Sequence, residues 1–160
     1  MVVKGFSQEF LSPISASRMF KAGIVDAHVL VPKLIPGVVT GTTILQGDGG
    51  VGSVKRTDFT HVIPFSYVTD RVEEQDEEKF VYRYTMLEGG FLGKKYDAAN
   101  YQVRFEPTSD GGSICKMTGQ YNALDDSSFT EEDIEIGKQG LMGMYKAVEA
   151  YLQQNPDAYV

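Results

Sequence analysis

The sequence predicts an α+β domain, with an antiparallel sheet curved around one long C-terminal helix. Three observations point to it. Apolar and polar residues alternate through the middle of the chain, most clearly over 79–88, where Phe80, Tyr82, Tyr84 and Met86 take turns with Lys79, Val81, Arg83 and Thr85. Short turn signals, Gly89-Gly90 and Asp110-Gly111-Gly112, separate such runs, and turns this short join antiparallel neighbours. After Thr130 the period changes, and Ile134, Leu141, Met144, Tyr145, Val148, Tyr151 and Leu152 fall on one helical face.

In chain order, Val3, Phe6 and Phe10 give an opening strand that Pro13 ends. Ser12 or Ser15 caps a helix carrying Ala16, Met19, Phe20 and Ile24, which Gly23 weakens. A second short helix covers 26–34. Proline in a helix interior removes a backbone donor and clashes with the preceding turn, so a break is expected at Pro32. Pro36-Gly37 turns the chain out. Strands follow over 38–45, 53–61, 66–73, 79–88, 97–105 and 113–121, with a polar turn at 75–78 and Pro64 in a connection. On three of these strands one face carries Lys55, Thr57, Phe59 and His61; Ala99, Tyr101, Val103 and Phe105; or Cys115, Met117, Gly119 and Tyr121. Thr130 caps the last helix, and the acids at 131–133 suit its positive end. Gly137, Gly140 and Gly143 are costly in a helix interior, so they allow close approach, leave room for a ligand or soften the helix. The helix stops over 153–156.

With 160 residues, one domain over 1–160 is expected. No apolar run approaches the ~20 residues of a membrane span. The opening Met1-Val2-Val3-Lys4-Gly5 turns polar too early for a secretion signal. A lone Cys115 cannot form an internal disulfide, which fits a reducing, cytoplasmic setting. A net charge of -7 without a basic run argues against a stable nucleic-acid complex. His28, His61 and Cys115 lack metal-ligand spacing, so neither metal nor cofactor is expected.

Gly47, Gly49, Gly50 and Gly52 form a glycine-rich loop ahead of Lys55. A nucleotide loop sets its lysine directly after the last glycine, whereas here Ser53 and Val54 intervene. The loop also lies between strands rather than opening a helix, so it reads as a structural connection.

The chain resembles the plant pathogenesis-related class 10 family, which includes the major birch pollen allergen. The carrying residues are the run from Gly47 to Lys55, Leu87-Glu88-Gly89-Gly90, Ala147-Val148-Glu149-Ala150-Tyr151-Leu152 and Asn155-Pro156-Asp157-Ala158-Tyr159-Val160. The flavour is that of the family's monocot, wound- and pathogen-induced intracellular members. The resemblance implies a helix-grip fold, with seven strands around the long helix and a V of two short helices beneath. It further implies a monomeric defence-related protein whose cavity takes flavonoids, phytohormones or other amphipathic small molecules. Lys55 matches a lysine that points into that cavity, and Tyr82 and Tyr84 match its tyrosines.

Tyrosine combines an apolar face with a hydroxyl, which suits an amphipathic ligand. The expected ligand-binding set is Lys55, Phe59, Tyr82, Tyr84, Tyr101, Met117, Leu141, Met144 and Tyr145, with Tyr121 a further candidate. Lys55 has inward parity and must find water, a carboxylate or a ligand acceptor. No catalytic residues are assigned. The alternative is a biosynthetic enzyme or a ribonuclease in the same fold; for the ribonuclease the resemblance points to Lys55, Glu149 and Tyr151, with Asp97 at another family position.

Overall fold

The computed structural model describes residues 2–160. Its strands are β1 (Val2–Ser12), β2 (Val39–Gln46), β3 (Val54–Phe59), β4 (Tyr67–Asp76), β5 (Val81–Gly89), β6 (Tyr96–Pro107) and β7 (Ser113–Ala123). They form one antiparallel sheet in the order β1-β7-β6-β5-β4-β3-β2. Two short helices, α1 (Ala16–Phe20) and α2 (Ala27–Leu34), flank a π-helical turn, Lys21–Val25, and α3 (Glu131–Gln154) is the long helix. The expected α+β architecture is therefore observed.

Local chemistry explains the helix ends. Ser15 accepts from the Arg18 amide to cap α1. Thr130 and Asp133 form a reciprocal capping box on α3, and Lys95 holds the same Asp133 at 2.7 Å. The Arg18 side chain donates to the carbonyls of Leu152, Asn155 and Ala158, tying the end of the chain to α1.

Three expectations need correction. The first bend falls at Asp26, where the π-turn ends, and α2 runs through Pro32. Burial of Leu30 and Val31, the two residues just before the proline, outweighs the hydrogen bond that proline forgoes. β3 ends at Phe59, so exposed His61 lies in the following turn. β4 extends to Asp76, and the turn falls at 77–80 instead of 75–78. Phe80 thus precedes β5 in a left-handed conformation (φ 58°), yet its ring still packs 5.9 Å from Phe20.

Bulges curve the sheet. Pairing shifts between Val39 and Gly41, between Ile44 and Gln46, between Thr69 and Asp70, between Val72 and Glu74, and between Tyr96 and Ala98. Each extra residue bends its strand and re-aims neighbouring side chains. One apolar cluster packs Met19, Phe20, Ile24, Val103, Phe105 and Tyr145 between the short helices, the sheet and α3. A second gathers Met86, Tyr96, Tyr121, Phe129 and Ile134 near the start of α3.

Candidate functional site

Between the sheet, α2 and α3 lies a cavity of about 230 Å³ whose walls draw on both clusters. Lys55, Phe59, Tyr82, Tyr84, Tyr101, Leu141, Met144 and Tyr145 all line it. Met117 does not. It is fully buried in the first cluster, with its sulfur 3.6 Å from Gln8, whose amide also donates to the Lys138 carbonyl. Inward parity on β7 thus leads Met117 into solid core. Tyr121 likewise packs on Phe129, with ring centroids 4.7 Å apart, and stays out of the wall.

Lys55 is 9% exposed. Its amine lies 5.7 Å from the Tyr82 ring centroid, within cation–π range. Directly across the β3–β4 ladder stands Asp70, at the Thr69/Asp70 bulge. Among the described residues no carboxylate comes within 4.0 Å of the Lys55 amine. Asp70 Oδ1 is buried without a hydrogen-bond partner. Burial pushes the Asp70 carboxyl up to about 7, although the nearby Lys55 charge opposes the shift. Burial also pulls the Lys55 amine down, against the raising influence of Asp70.

The sequence did not single out Asp70. Its signal was available: it shares inward parity with Val68 and Val72, and an acid at such a position needs a partner. Phe65, Met86 and Thr42 also joined the wall unannounced. On the helical side His28 lines the cavity, and its Nδ1 is buried without a partner. Native interiors rarely leave such groups unpaired, so two orphaned polar atoms in one cavity are informative.

The tyrosines form a continuous apolar ledge. Tyr82 and Tyr84 have ring centroids 5.2 Å apart, and Tyr84 stacks on Tyr101 at 5.0 Å. Burial pushes the phenols of Tyr82, Tyr84, Tyr101 and Tyr145 upward, so each keeps its proton and can donate at neutral pH.

The glycine-rich loop turns its amides inward. Gly47, Gly49 and Gly52 adopt φ of 87°, 101° and 86°, a region that glycine enters without strain. Gly49 N–H donates to Ser53 Oγ, Gly50 N–H to Asp48 Oδ1, and Gly52 N–H to the Val72 carbonyl. The last bond joins the loop to β4. These donors are already engaged, and Asp48 adds negative charge, so the loop ties the start of β3, which carries Lys55, to β4.

The ribonuclease set is not assembled around the cavity. Of Lys55, Glu149, Tyr151 and Asp97, only Lys55 lines it. Glu149 lies 3.5 Å from Lys146, and Asp97 is exposed on β6. Among the described residues no cluster of three His, Cys, Asp or Glu side chains is placed to hold a metal.

Gly137 and Gly140 line the cavity, Gly140 at an exposed position, while Gly143 is exposed and outside its wall. A Cβ at Gly140 or Gly143 meets nothing within 4 Å. Gly143→Ala should therefore raise stability by up to ~1 kcal/mol without altering ligand affinity. Gly140→Ala should stabilise similarly but change affinity. Paired melting curves and ligand titrations distinguish the two; a loss of stability in Gly143→Ala would contradict the helix geometry.

The model of the "Pathogenesis-related protein Bet v 1 family" matches residues 1–155. The major allergen Pru ar 1 of Prunus armeniaca is 42% identical over 159 residues, 99% of each chain. The crystal structure of Ara h 8.0201 superposes with a TM-score of 0.85 at 30% identity, covering 96% of this chain and all of that one. Norcoclaurine synthase from Thalictrum flavum, in complex with dopamine and hydroxybenzaldehyde, superposes at 0.82 with 21% identity, covering 96% of this chain and 88% of that one. This last likeness concerns the fold, which therefore also hosts an enzyme.

Proposed function

Because the chain belongs to the pathogenesis-related protein Bet v 1 family, we propose that it is an intracellular, defence-related plant protein that binds one amphipathic small molecule in the cavity. The observation that carries this reading is the wall itself: an aromatic ledge beside a buried lysine and an acid that are not paired with each other. A fully collapsed core would have no use for Lys55 and Asp70, because an unpaired buried polar group is costly. Lys55 anchors a carboxylate, phenolate or carbonyl, His28 offers a polar contact on the helical wall, and the tyrosine ledge takes the apolar body.

The cavity volume of about 230 Å³ favours a compact, flat ligand. Pockets for drug-sized ligands run to roughly 300–1,000 Å³. Met144 and Met86 are unbranched and polarizable, so they can shift to admit ligands of different outline. Burying ~200 Å² of apolar ligand surface gives roughly 5 kcal/mol before ordering costs, equivalent to a dissociation constant of about 0.2 mM, so a micromolar affinity needs the polar contacts as well.

Two naphthalene probes test the anchor. In Lys55→Ala, 2-naphthoate should bind about tenfold or more weakly, equivalent to ~1.4 kcal/mol. Neutral 2-naphthalenemethanol should change by less than about threefold, because it loses no charge-assisted contact. Equal losses for both probes would remove Lys55 from the anchoring role. A pocket enzyme is the second reading, favoured by the unpaired amine and carboxyl in one cavity; turnover of a ligand bound there would establish it.

A further inference from the structure

Lys55 is the only buried lysine among the described residues. It faces a largely apolar cavity, and no carboxylate neutralises it within 4.0 Å. Asp70 is its direct neighbour on the adjacent strand, with Oδ1 unused. Amine and carboxyl are not joined to each other, so both remain available to a reacting oxygen. Cross-strand side chains start only ~5 Å apart, so both can reach that atom.

We propose that Lys55 is a covalent site for carbonyl compounds, forming a reversible imine with a small aromatic aldehyde or ketone held against Tyr82 and Tyr84, while Asp70 carries the protons. The inference rests on the reading that the cavity takes small molecules. It adds bond formation to what would otherwise be simple binding.

The neutral amine attacks the carbonyl carbon. The new C–N bond forms, and the carbonyl π pair moves to oxygen, which takes a proton from the Asp70 carboxyl. The nitrogen of the resulting carbinolamine then gives a proton to the Asp70 carboxylate, restoring the acid. The C–O bond next breaks, and the hydroxyl leaves as water with the Asp70 proton. The iminium N–H returns a proton to Asp70, leaving the neutral imine. Carbonyl compound plus amine gives imine plus water, with no oxidant or reductant.

Three features suit this chemistry. Burial favours the uncharged amine, the form that can attack. The Asp70 carboxyl retains protons near neutrality, as a donor to the leaving hydroxyl must. The ring ledge positions a flat carbonyl compound and limits water that would reverse the step. Besides Lys55 and Asp70, the titratable groups facing the site are His28 from α2, Tyr82 and Tyr84 from β5, Tyr101 from β6 and Tyr145 from α3. The phenols stay protonated throughout the neutral range.

The test exposes the whole protein at pH ~7 to 2-naphthaldehyde and sodium cyanoborohydride, a reductant that traps imines as stable amines. Intact-mass measurement and peptide mapping then locate the adduct, with 2-naphthalenemethanol binding measured in parallel. One naphthylmethyl group should appear at Lys55, about tenfold or more faster than at any exposed lysine, because each unit of lowered pKa raises the neutral fraction about tenfold. Lys55→Met should lose this adduct while its thermal unfolding stays cooperative, which separates loss of the amine from loss of the fold. Asp70→Asn should slow trapping by about 10²-fold, within the range for a lost acid–base group, with the residual adduct still at Lys55. An unmodified Lys55 with the alcohol bound would overturn the imine and leave the cavity reading standing. Absence of both adduct and alcohol binding would overturn both. An unchanged trapping rate in Asp70→Asn would remove Asp70 from the step.

Discussion

Replacing Asp70 with asparagine is expected to remove a large pH-dependent penalty on stability. The folded protein raises this carboxyl from the ordinary 3.8 to about 7, chiefly through burial. Between those values the folded state holds more protons at this site than the unfolded state does. Stability from Asp70 is therefore greatest below 3.8 and is lost as pH rises through about 7. The full span corresponds to about 4 kcal/mol, of which roughly 2–3 kcal/mol falls between pH ~5 and ~8.

The partners facing Asp70 include Lys55 on β3 and Tyr82 and Tyr84 on β5. Carboxylates such as Glu106 and Asp110 have lowered values through hydrogen bonding and shift stability in the opposite sense. The informative quantity is thus the difference between wild type and Asp70→Asn in urea unfolding at each pH. That difference should move by about 2–3 kcal/mol in favour of the variant from pH ~5 to ~8. Parallel stability curves would mean that Asp70 is well hydrated in the folded protein.

Tyr145→Ala should carry the other large effect. Tyr145 is 1% exposed and meets Phe105 edge-on at 5.7 Å. Gly23 of the π-turn sits so close that a Cβ there would be 3.2 Å from the Tyr145 ring. One side chain therefore ties α3, the short helices and the sheet together and also lines the cavity. Removing a large buried aromatic costs about 3–5 kcal/mol, because the lost contacts leave a void. At roughly 2–4 °C per kcal/mol for a domain of this size, the melting temperature should fall by about 10 °C. Tyr145→Phe keeps the ring and should cost about 1 kcal/mol or less. A stability within ~1 kcal/mol of wild type for Tyr145→Ala would show that the helices hold the sheet without it.

The sheet was legible because its signal is local. Alternation over β5, β6 and β7, with Gly89-Gly90 and Asp110-Gly111-Gly112 between them, needs no tertiary knowledge. The Thr130 cap and the apolar face of α3 were equally plain. Pro32 misled because eight helical residues held by Leu30 and Val31 tolerate a proline that an isolated helix would not. The turn before β5 was misplaced because Phe80 keeps its apolar contact from outside the strand.

The family resemblance pointed Lys55, Tyr82 and Tyr84 toward the cavity and strand parity agreed with it, while Tyr101 followed from alternation along its strand; all four line the wall. Parity separates inside from outside, but it does not separate open cavity from filled core. That distinction depends on where α3 lies along the sheet, which is why Met117 was included and Asp70 missed. Register supplies the missing fact: Asp70 stands opposite Lys55 only once β3 and β4 are paired.

The most direct test of the cavity as a small-molecule site is native mass spectrometry after exposure to a plant small-molecule extract, with a Gly140→Leu variant alongside. Leucine at that position would grow into open space at the cavity wall. Wild type should retain one copy of a chemically unchanged amphipathic molecule, and the variant should retain far less. No retained molecule, or equal retention by both proteins, would contradict the cavity as the binding site.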